Sequence, residues 1–161
     1  MKKIVFVCLG NICRSPAAHA VLEHLLDKDP WKEEIVVDSC GLGNWHEGEG
    51  SDPRMIQVAQ AENISMTHKA RQIKALDFST CSYILAADKK VYDDLIKLAP
   101  SSESKGKIHM MTAFSIFEGE DIEVPYFGDL EDFEDAFGRI KISCQGFLDY
   151  LKKIGYESTL V

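Results

Sequence analysis

The feature that most constrains the fold is an apolar run at residues 4–7, which a loop-like segment and then a helical pattern follow directly. The β-branched and aromatic residues of the run predict a short buried strand. Pro16 suits the first turn of a helix, and the apolar spacing after it extends this helix to about Leu26. The sequence therefore predicts that residues 8–15 connect the end of a strand to the start of a helix.

The connecting segment, here called the anion loop, reads Cys8-Leu9-Gly10-Asn11-Ile12-Cys13-Arg14-Ser15, a Cys-x5-Arg-Ser pattern. Backbone N–H groups of a concave loop and the start of the following helix bind anions, and Gly10 permits close backbone approach. A guanidinium matches two oxygens of a phosphate. The residues expected to bind phosphate are Leu9, Gly10, Asn11, Ile12, Cys13 and Arg14.

A nucleophile is the second component of this loop. The same positive surroundings favour the thiolate form of Cys8, which is the reactive form of cysteine. Ser15 can donate a hydrogen bond to that sulfur, which helps it both to ionise and to leave. The loop lacks the Gly-Lys-Ser/Thr ending of a nucleotide P-loop. The alternative interpretation makes Cys8 a small buried hydrophobe at a strand end and Arg14 a surface cap.

The rest of the chain alternates strand and helix patterns. Further strands are predicted at residues 35–37, 83–86 and 108–111, and further helices at residues 54–61, 90–98 and 133–154. This alternation predicts an α/β fold, in one domain over residues 1–161, with a parallel sheet covered on both faces. Segment 101–106 is predicted to be an exposed loop. Functional crevices of such sheets lie at the carboxyl ends of strands, where Cys8 is placed.

Composition excludes several classes of partner. The net charge of −8 argues against nucleic acid and acidic membranes, and no apolar stretch approaches the length of a membrane span. The five cysteines show no zinc-like spacing, and the first residues do not resemble a signal peptide. We therefore expect a cytoplasmic protein with reduced thiols, in which Cys40, Cys81 and Cys144 lie in the core.

Residues 7–16 resemble the signature of the low-molecular-weight protein tyrosine phosphatases nearly residue for residue. The resemblance spans essentially the whole chain, through the motifs Asp38-Ser39-Cys40-Gly41, Trp45-His46-Glu47-Gly48, Asp52-Pro53-Arg54-Met55, His68-Lys69-Ala70-Arg71-Gln72-Ile73, Ala87-Asp88, Pro125-Tyr126-Phe127-Gly128 and Asp132-Phe133-Glu134. It implies a three-layer α/β fold around a central four-stranded parallel sheet. It also implies hydrolysis of aryl phosphate monoesters, above all protein phosphotyrosine, through a phosphocysteine on Cys8. No metal or organic cofactor is implied, and inorganic phosphate is the expected product and inhibitor.

The resemblance assigns supporting roles to residues outside the nucleophile. It implies that Asn11 is structural and holds the turn of the anion loop, with Ser39 and His68 as its partners. It also implies that Asp88 helps to place the loop that carries the general acid, without itself donating a proton.

The resemblance further implies an aromatic pocket and a protective thiol. Trp45 would form one wall of the pocket, and Tyr126 and Phe127 the other, which would select a flat phenyl ester over a short serine phosphate. Cys13 matches a cysteine that can trap the oxidised Cys8 as a reversible disulfide.

The chain departs from the family pattern at the general acid. The family has an Asp where this chain has Val124, and valine cannot deliver a proton. Asp121, Glu123 and Asp129 are the candidate replacements, of which we favour Asp129, with Glu123 as the alternative. General acid catalysis is worth about 10²–10⁴-fold in rate. Two hypotheses therefore stay open: an active aryl phosphatase, or a catalytically weak protein that binds phosphotyrosine.

Two related reactions are disfavoured by single positions. Arsenate reductases of similar appearance use two further cysteines near the middle of the chain, whereas Cys81 has no cysteine among residues 82–92. Related protein-arginine phosphatases carry a Thr where this chain has Ile12. The tyrosine type of substrate is therefore favoured.

Overall fold

The sheet that the structure describes has four parallel strands in the spatial order β2-β1-β3-β4. In this computed structural model, which describes residues 2–159 and the side chains of residues 2–155, the strands are β1 (Lys2–Cys8), β2 (Ile35–Gly41), β3 (Tyr83–Ala86) and β4 (Ile108–Met110). All four predicted strands are confirmed, and β1 and β2 are longer than their apolar runs, because polar residues also join the ladder. The predicted α/β fold with a parallel sheet is confirmed.

Helices cover both faces of this sheet. They are α1 (Arg14–Leu26), α2 (Pro53–Gln60), α3 (Ala75–Thr80), α4 (Lys89–Leu98), α5 (Ser102–Lys105) and α6 (Leu130–Thr159), with a short 3-10 helix at Lys32–Glu34. Helix α5 corrects the prediction of a loop at residues 101–106: the Ser101 hydroxyl accepts a hydrogen bond from the Ser104 N–H at 3.1 Å and caps one helical turn. None of the helices within residues 2–159 has both the length and the apolar character that crossing a membrane requires.

Strand β1 explains why residues 4–7 are uniformly apolar. Successive side chains of a strand point to opposite faces. Ile4 and Phe6 pack into one core cluster with side chains of α1, α2 and α6, whereas Val5 and Val7 pack into a second cluster with α4. All four side chains are buried, because helices cover the sheet on both sides.

The strand order places the site. After β1 the chain forms β2 on one side of it and later β3 on the other side, so connections diverge from the carboxyl end of β1. Open α/β sheets bind ligands at such a switch point. Cys8 is the last residue of β1 and lies at this position.

Candidate active site

Asn11 holds the conformation of the anion loop. Its φ is +59°, a left-handed conformation that asparagine tolerates better than most residues. Its side-chain N–H groups donate to Ser15 Oγ at 2.8 Å and Ser39 Oγ at 3.1 Å. Its Oδ1 accepts from His68 Nε2 and from the Arg71 backbone N–H, both at 2.9 Å. Both polar groups of this buried amide are thus satisfied, and two of the partners are the predicted Ser39 and His68.

The ring of His68 is in its neutral form near neutral pH. Burial and the neighbouring His19 lower the pKa of His68, although Asp38 acts in the opposite direction. Because Oδ1 of Asn11 can only accept, Nε2 of His68 must carry the hydrogen in this contact.

Cys8 and Ser15 form the contact at the base of the loop. Cys8 Sγ lies 2.9 Å from Ser15 Oγ, and both side chains are buried. The hydroxyl oxygen already accepts from Asn11, so its own hydrogen is directed to an acceptor. The two acceptors within reach are Cys8 Sγ and the Cys40 carbonyl oxygen at 3.3 Å. The Ser15 hydroxyl is therefore placed to donate to Cys8 Sγ.

The guanidinium of Arg14 is ion-paired with Asp88, but not all of its N–H groups donate to the protein. Its side chain is 3% exposed, and Nη1 donates to Asp88 Oδ2 at 2.6 Å and to the Ile122 carbonyl oxygen at 2.9 Å. Within residues 2–155, no hydrogen bond from Nε or Nη2 of Arg14 is formed. Three N–H groups, one on Nε and two on Nη2, thus remain for the oxygens of a bound phosphate, beside the start of α1, which adds positive potential.

A small cavity of about 180 Å³ opens above the anion loop, and we refer to it as the Cys8 cavity. It is lined by Cys8, Leu9, Gly10, Ile12, Cys13, Arg14, Trp45, His46, Val124 and Tyr126. The structure thus brings the predicted nucleophile, guanidinium and two predicted aromatic residues to one place. His46 was missed by the sequence interpretation; a titratable side chain in a glycine-rich loop next to Trp45 was the available signal.

The aromatic walls differ from the prediction at one position. Arg54 Nη1 donates to the Tyr126 carbonyl oxygen at 3.1 Å, and its guanidinium lies 5.8 Å from the centre of the Tyr126 ring. This clamp holds Tyr126 at the cavity. Phe127 is fully exposed and lines a neighbouring groove instead, so the prediction that Phe127 forms the pocket wall is corrected.

Asp129, the predicted general acid, lies outside the lining of the Cys8 cavity. Asp129 Oδ1 accepts a hydrogen bond from the Asp132 N–H at 3.3 Å, at the start of α6, and does not line the Cys8 cavity. Asp121 accepts from the Lys89 N–H at 2.8 Å. Glu123 lines the neighbouring groove. Among the described side chains, no carboxylate lines the Cys8 cavity, and Val124 occupies part of its wall.

Asp88 has a different contact from the one implied by the resemblance. It pairs with Arg14, and its Oδ1 accepts from the Val91 N–H at 2.8 Å, which caps α4. Arg14 also donates to the Ile122 carbonyl oxygen, and the Ile122 N–H donates to the carbonyl oxygen of Ala87, so Asp88 lies beside the segment of Ile122.

The cysteines divide into two groups. Cys13 lines the cavity with Cys8, and burial, followed by the charge of Cys8, raises the pKa of Cys13 to about 12. Cys40, Cys81 and Cys144 lie in the core, as predicted, and burial raises the pKa of each of these thiols. All five are free thiols.

One cluster of side chains among the described residues has the residue types that bind metal ions. His19, Asp38 and His68 bring ligand atoms within 4.8 Å of one another. Their polar atoms have protein partners, such as Ser39 for His19 Nδ1 and Arg71 for Asp38 Oδ2. The cluster therefore serves as the polar support beneath Asn11.

A cysteine, a buried arginine and a helix start that converge on one cavity, at the switch point of a parallel sheet, define a cysteine-dependent phosphatase. Residues 3–157 match the family model described as low molecular weight phosphotyrosine protein phosphatase. Proteins of that description from Sus scrofa and Drosophila melanogaster are 35% and 37% identical, with 94% and 92% of this chain covered and 96% of each relative. A protein tyrosine phosphatase structure from Entamoeba histolytica matches with a TM-score of 0.90 at 31% identity, over 95% of this chain and 98% of that one.

The chain belongs to the low molecular weight phosphotyrosine protein phosphatase family. It is a cysteine-dependent protein tyrosine phosphatase with the three-layer α/β fold of that family. The predicted family, fold class and reaction class are confirmed.

Proposed function

We propose that Cys8 is the nucleophile with which this enzyme removes the phosphoryl group from protein phosphotyrosine and from small aryl phosphates. The supporting observation is the contact of Cys8 Sγ with Ser15 Oγ at 2.9 Å, at a cavity that Arg14 also lines. The thiolate attacks phosphorus, the bond from phosphorus to the phenolic oxygen breaks, and a phosphocysteine forms. Water then attacks phosphorus, the S–P bond breaks, and inorganic phosphate leaves.

Binding of the phosphoryl group is assigned to the anion loop. The Arg14 N–H groups without a protein partner and the loop amides bind the equatorial oxygens, where negative charge is spread during transfer. The resulting inorganic phosphate fits the same donors and acts as product and inhibitor. No nucleic acid or membrane is proposed as a partner.

Preference for a phenolic ester comes from the walls of the Cys8 cavity. The rings of Trp45 and Tyr126 can contact a phenyl group on its way to the sulfur. A Cβ on Gly43 would lie 2.0 Å from Trp45 Cζ3, so the indole lies directly on a glycine that leaves room for it. A serine phosphate would reach the loop without contact to either ring.

Val124 favours a second candidate function. With no carboxylate of the described residues at this wall, a chain that binds phosphotyrosine and releases it unhydrolysed is the alternative. The cysteine pair has its own proposed role, in which Cys13 traps oxidised Cys8 as a disulfide. We propose the cytoplasm, where thiols stay reduced, as the location of the protein.

The test compares the enzyme with Cys8→Ser on 4-nitrophenyl phosphate and on a phosphotyrosine peptide. We expect hydrolysis of both by the wild type, none by the variant, and a phosphorylated Cys8 peptide in acid-quenched samples by mass spectrometry. Tight peptide binding without turnover of either ester would establish the binding protein instead.

For the thiol pair, mild peroxide should yield a Cys8–Cys13 crosslink; sulfinic Cys8 without that crosslink would contradict the protective role.

A further inference from the structure

His46 lies at the Cys8 cavity with a defined ring orientation. A Cβ on Gly10 would lie 3.2 Å from His46 Cδ2 and 3.8 Å from Nε2, so this edge of the imidazole faces the anion loop. Because Gly10 has no side chain, the ring can approach the loop backbone this closely. Nε2 is therefore the ring nitrogen that is directed towards the phosphate-binding residues.

Glu49 holds the opposite edge of the ring. His46 Nδ1 lies 2.8 Å from Glu49 Oε2, and the Glu49 N–H donates to the His46 carbonyl oxygen at 2.8 Å. A carboxylate accepts at this distance, so Nδ1 carries a hydrogen, and Nε2 is the nitrogen that can gain and lose a proton. The carboxylate thereby fixes the orientation of the ring, in the manner of the acidic member of a catalytic triad.

The loop that carries His46 is attached to the anion loop itself. The Leu42 N–H donates to the Cys8 carbonyl oxygen, and the Gly43 N–H donates to the Leu9 carbonyl oxygen, both at 3.0 Å. These main-chain hydrogen bonds therefore fix the start of the loop that carries His46 relative to Cys8.

We propose that His46 is the general acid and base of this phosphatase and that Glu49 is its positioning residue. The inference rests on the proposed function, because it supplies the proton for the same reaction. Val124 offers no proton, and no carboxylate of the described residues lines the cavity. An imidazole at the cavity wall, held by a carboxylate, is the group that the structure offers in its place.

The proton balance of the two steps is complete. In the first step Cys8 sulfur bonds to phosphorus, the phosphorus bond to the phenolic oxygen breaks, and the proton on Nε2 passes to that oxygen. In the second step neutral Nε2 takes one proton from the attacking water, whose oxygen bonds to phosphorus. The S–P bond then breaks and returns the thiolate, with the imidazolium restored and hydrogen phosphate released.

The experiment uses the dependence on the leaving group. The kcat/KM values of His46→Gln and Glu49→Gln are compared with the wild type on phenyl phosphate, a poor leaving group, and 4-nitrophenyl phosphate, a good one. For His46→Gln we expect a loss of about a hundredfold on phenyl phosphate and only a few-fold loss on the nitrophenyl ester. Glu49→Gln should show the same ester dependence with a smaller loss. His24→Gln, on the exposed side of α1, is the matched control.

Restoring a carboxylate at position 124 provides the second measurement. Val124→Asp should raise kcat/KM for phenyl phosphate by a larger factor in the His46→Gln background than in the wild type. In the wild-type background His46 and the new carboxylate can both supply the single proton, so the carboxylate adds less. Equal losses on both esters, no loss in either variant, or equal factors in the two backgrounds would overturn the role of His46. These outcomes leave the phosphatase function intact, because that function fails on other results: no turnover of either ester by the wild type, or activity that survives Cys8→Ser. Thermal unfolding of each variant distinguishes a loss of catalysis from a loss of folded structure. If His46→Gln does not fold, Glu49→Gln provides the test, because the Glu49 side chain is exposed.

Discussion

Asp88 joins Arg14 to the start of helix α4. One carboxylate oxygen accepts from Arg14 Nη1 at 2.6 Å, and the other accepts from the Val91 N–H at 2.8 Å. The guanidinium is nearly fully buried, so this carboxylate both neutralises its charge and fixes its orientation. One side chain thus serves the phosphate site and the stability of α4, and a suitable substitution can separate the two.

Asp88→Asn should weaken phosphate binding while it preserves the helix cap. Asparagine caps helices about as well as aspartate, but it carries no charge to hold Arg14. We expect KM for 4-nitrophenyl phosphate and the inhibition constant of inorganic phosphate each to rise about tenfold, the loss of one charge-assisted contact. Asp88→Ala should in addition lower the free energy of unfolding by about 1 kcal/mol through the lost cap. Unchanged phosphate inhibition in Asp88→Asn would show that Arg14 is oriented by other contacts.

Ser15→Ala should slow the reaction without loss of the fold. The serine hydroxyl lies 2.9 Å from Cys8 Sγ, and without it the thiolate loses a donor when it forms and when it leaves. We expect kcat for 4-nitrophenyl phosphate to fall about a hundredfold, as for loss of one donor to a reacting anion. Alkylation of Cys8 by iodoacetamide at neutral pH should also slow.

Ser143→Ala is the matched control for that experiment. Its hydroxyl is buried and has no hydrogen-bond partner among the described residues. Removal of such a group should leave kcat unchanged and stability equal or higher. Equal kcat in Ser15→Ala and Ser143→Ala would contradict the assigned role of Ser15.

The parts of this structure that local pattern controls could be predicted from the sequence. Residues 4–7 are apolar because both faces of β1 are covered, and Pro16 lies in the first turn of α1, so strand, loop and helix followed from the chain itself. The short helix α3 has six residues, which is too few for a helical period to emerge from its neighbours.

Contacts between distant residues could not be predicted in this way. Tyr126 is held at the cavity by Arg54, which is far from it in sequence, whereas the neighbouring Phe127 is exposed. Asp129 shows the same limit, because an acidic residue three positions before Asp132 at a helix start is itself a capping pattern, while its role as proton donor stays a prediction.

Asp129→Asn therefore separates a cap from an acid. Asparagine keeps the side-chain oxygen that accepts from the Asp132 N–H, but it cannot donate a carboxylic proton. We expect kcat/KM for phenyl phosphate to stay within about twofold of the wild type, far from the loss expected of a general acid. A large loss on phenyl phosphate, with the nitrophenyl ester spared, would instead establish Asp129 as the donor and contradict its role as a cap alone.

His68 should make the fold sensitive to mild acid. Burial and His19 lower the pKa of His68 below the value of about 6.5 that an unfolded histidine has. The unfolded chain then binds more protons than the folded chain as pH falls through that value, so the stabilisation present above pH 6.5 is lost below it. His68→Gln removes the titration, and its amide can still donate to Asn11 Oδ1.

Urea unfolding at about pH 7.5 and about pH 5.5 measures this contribution. The free energy of unfolding should fall more for the wild type than for His68→Gln over that interval. His109, whose pKa is also lowered by burial, contributes equally to both chains and cancels in the comparison. Asp38, 3.9 Å from His68 Nδ1, would favour protonated His68, but burial and the neighbouring His19 and Arg71 oppose it, and the pKa of His68 is lowered on balance. An equal fall in both proteins would therefore place the acid sensitivity at other groups and contradict this assignment.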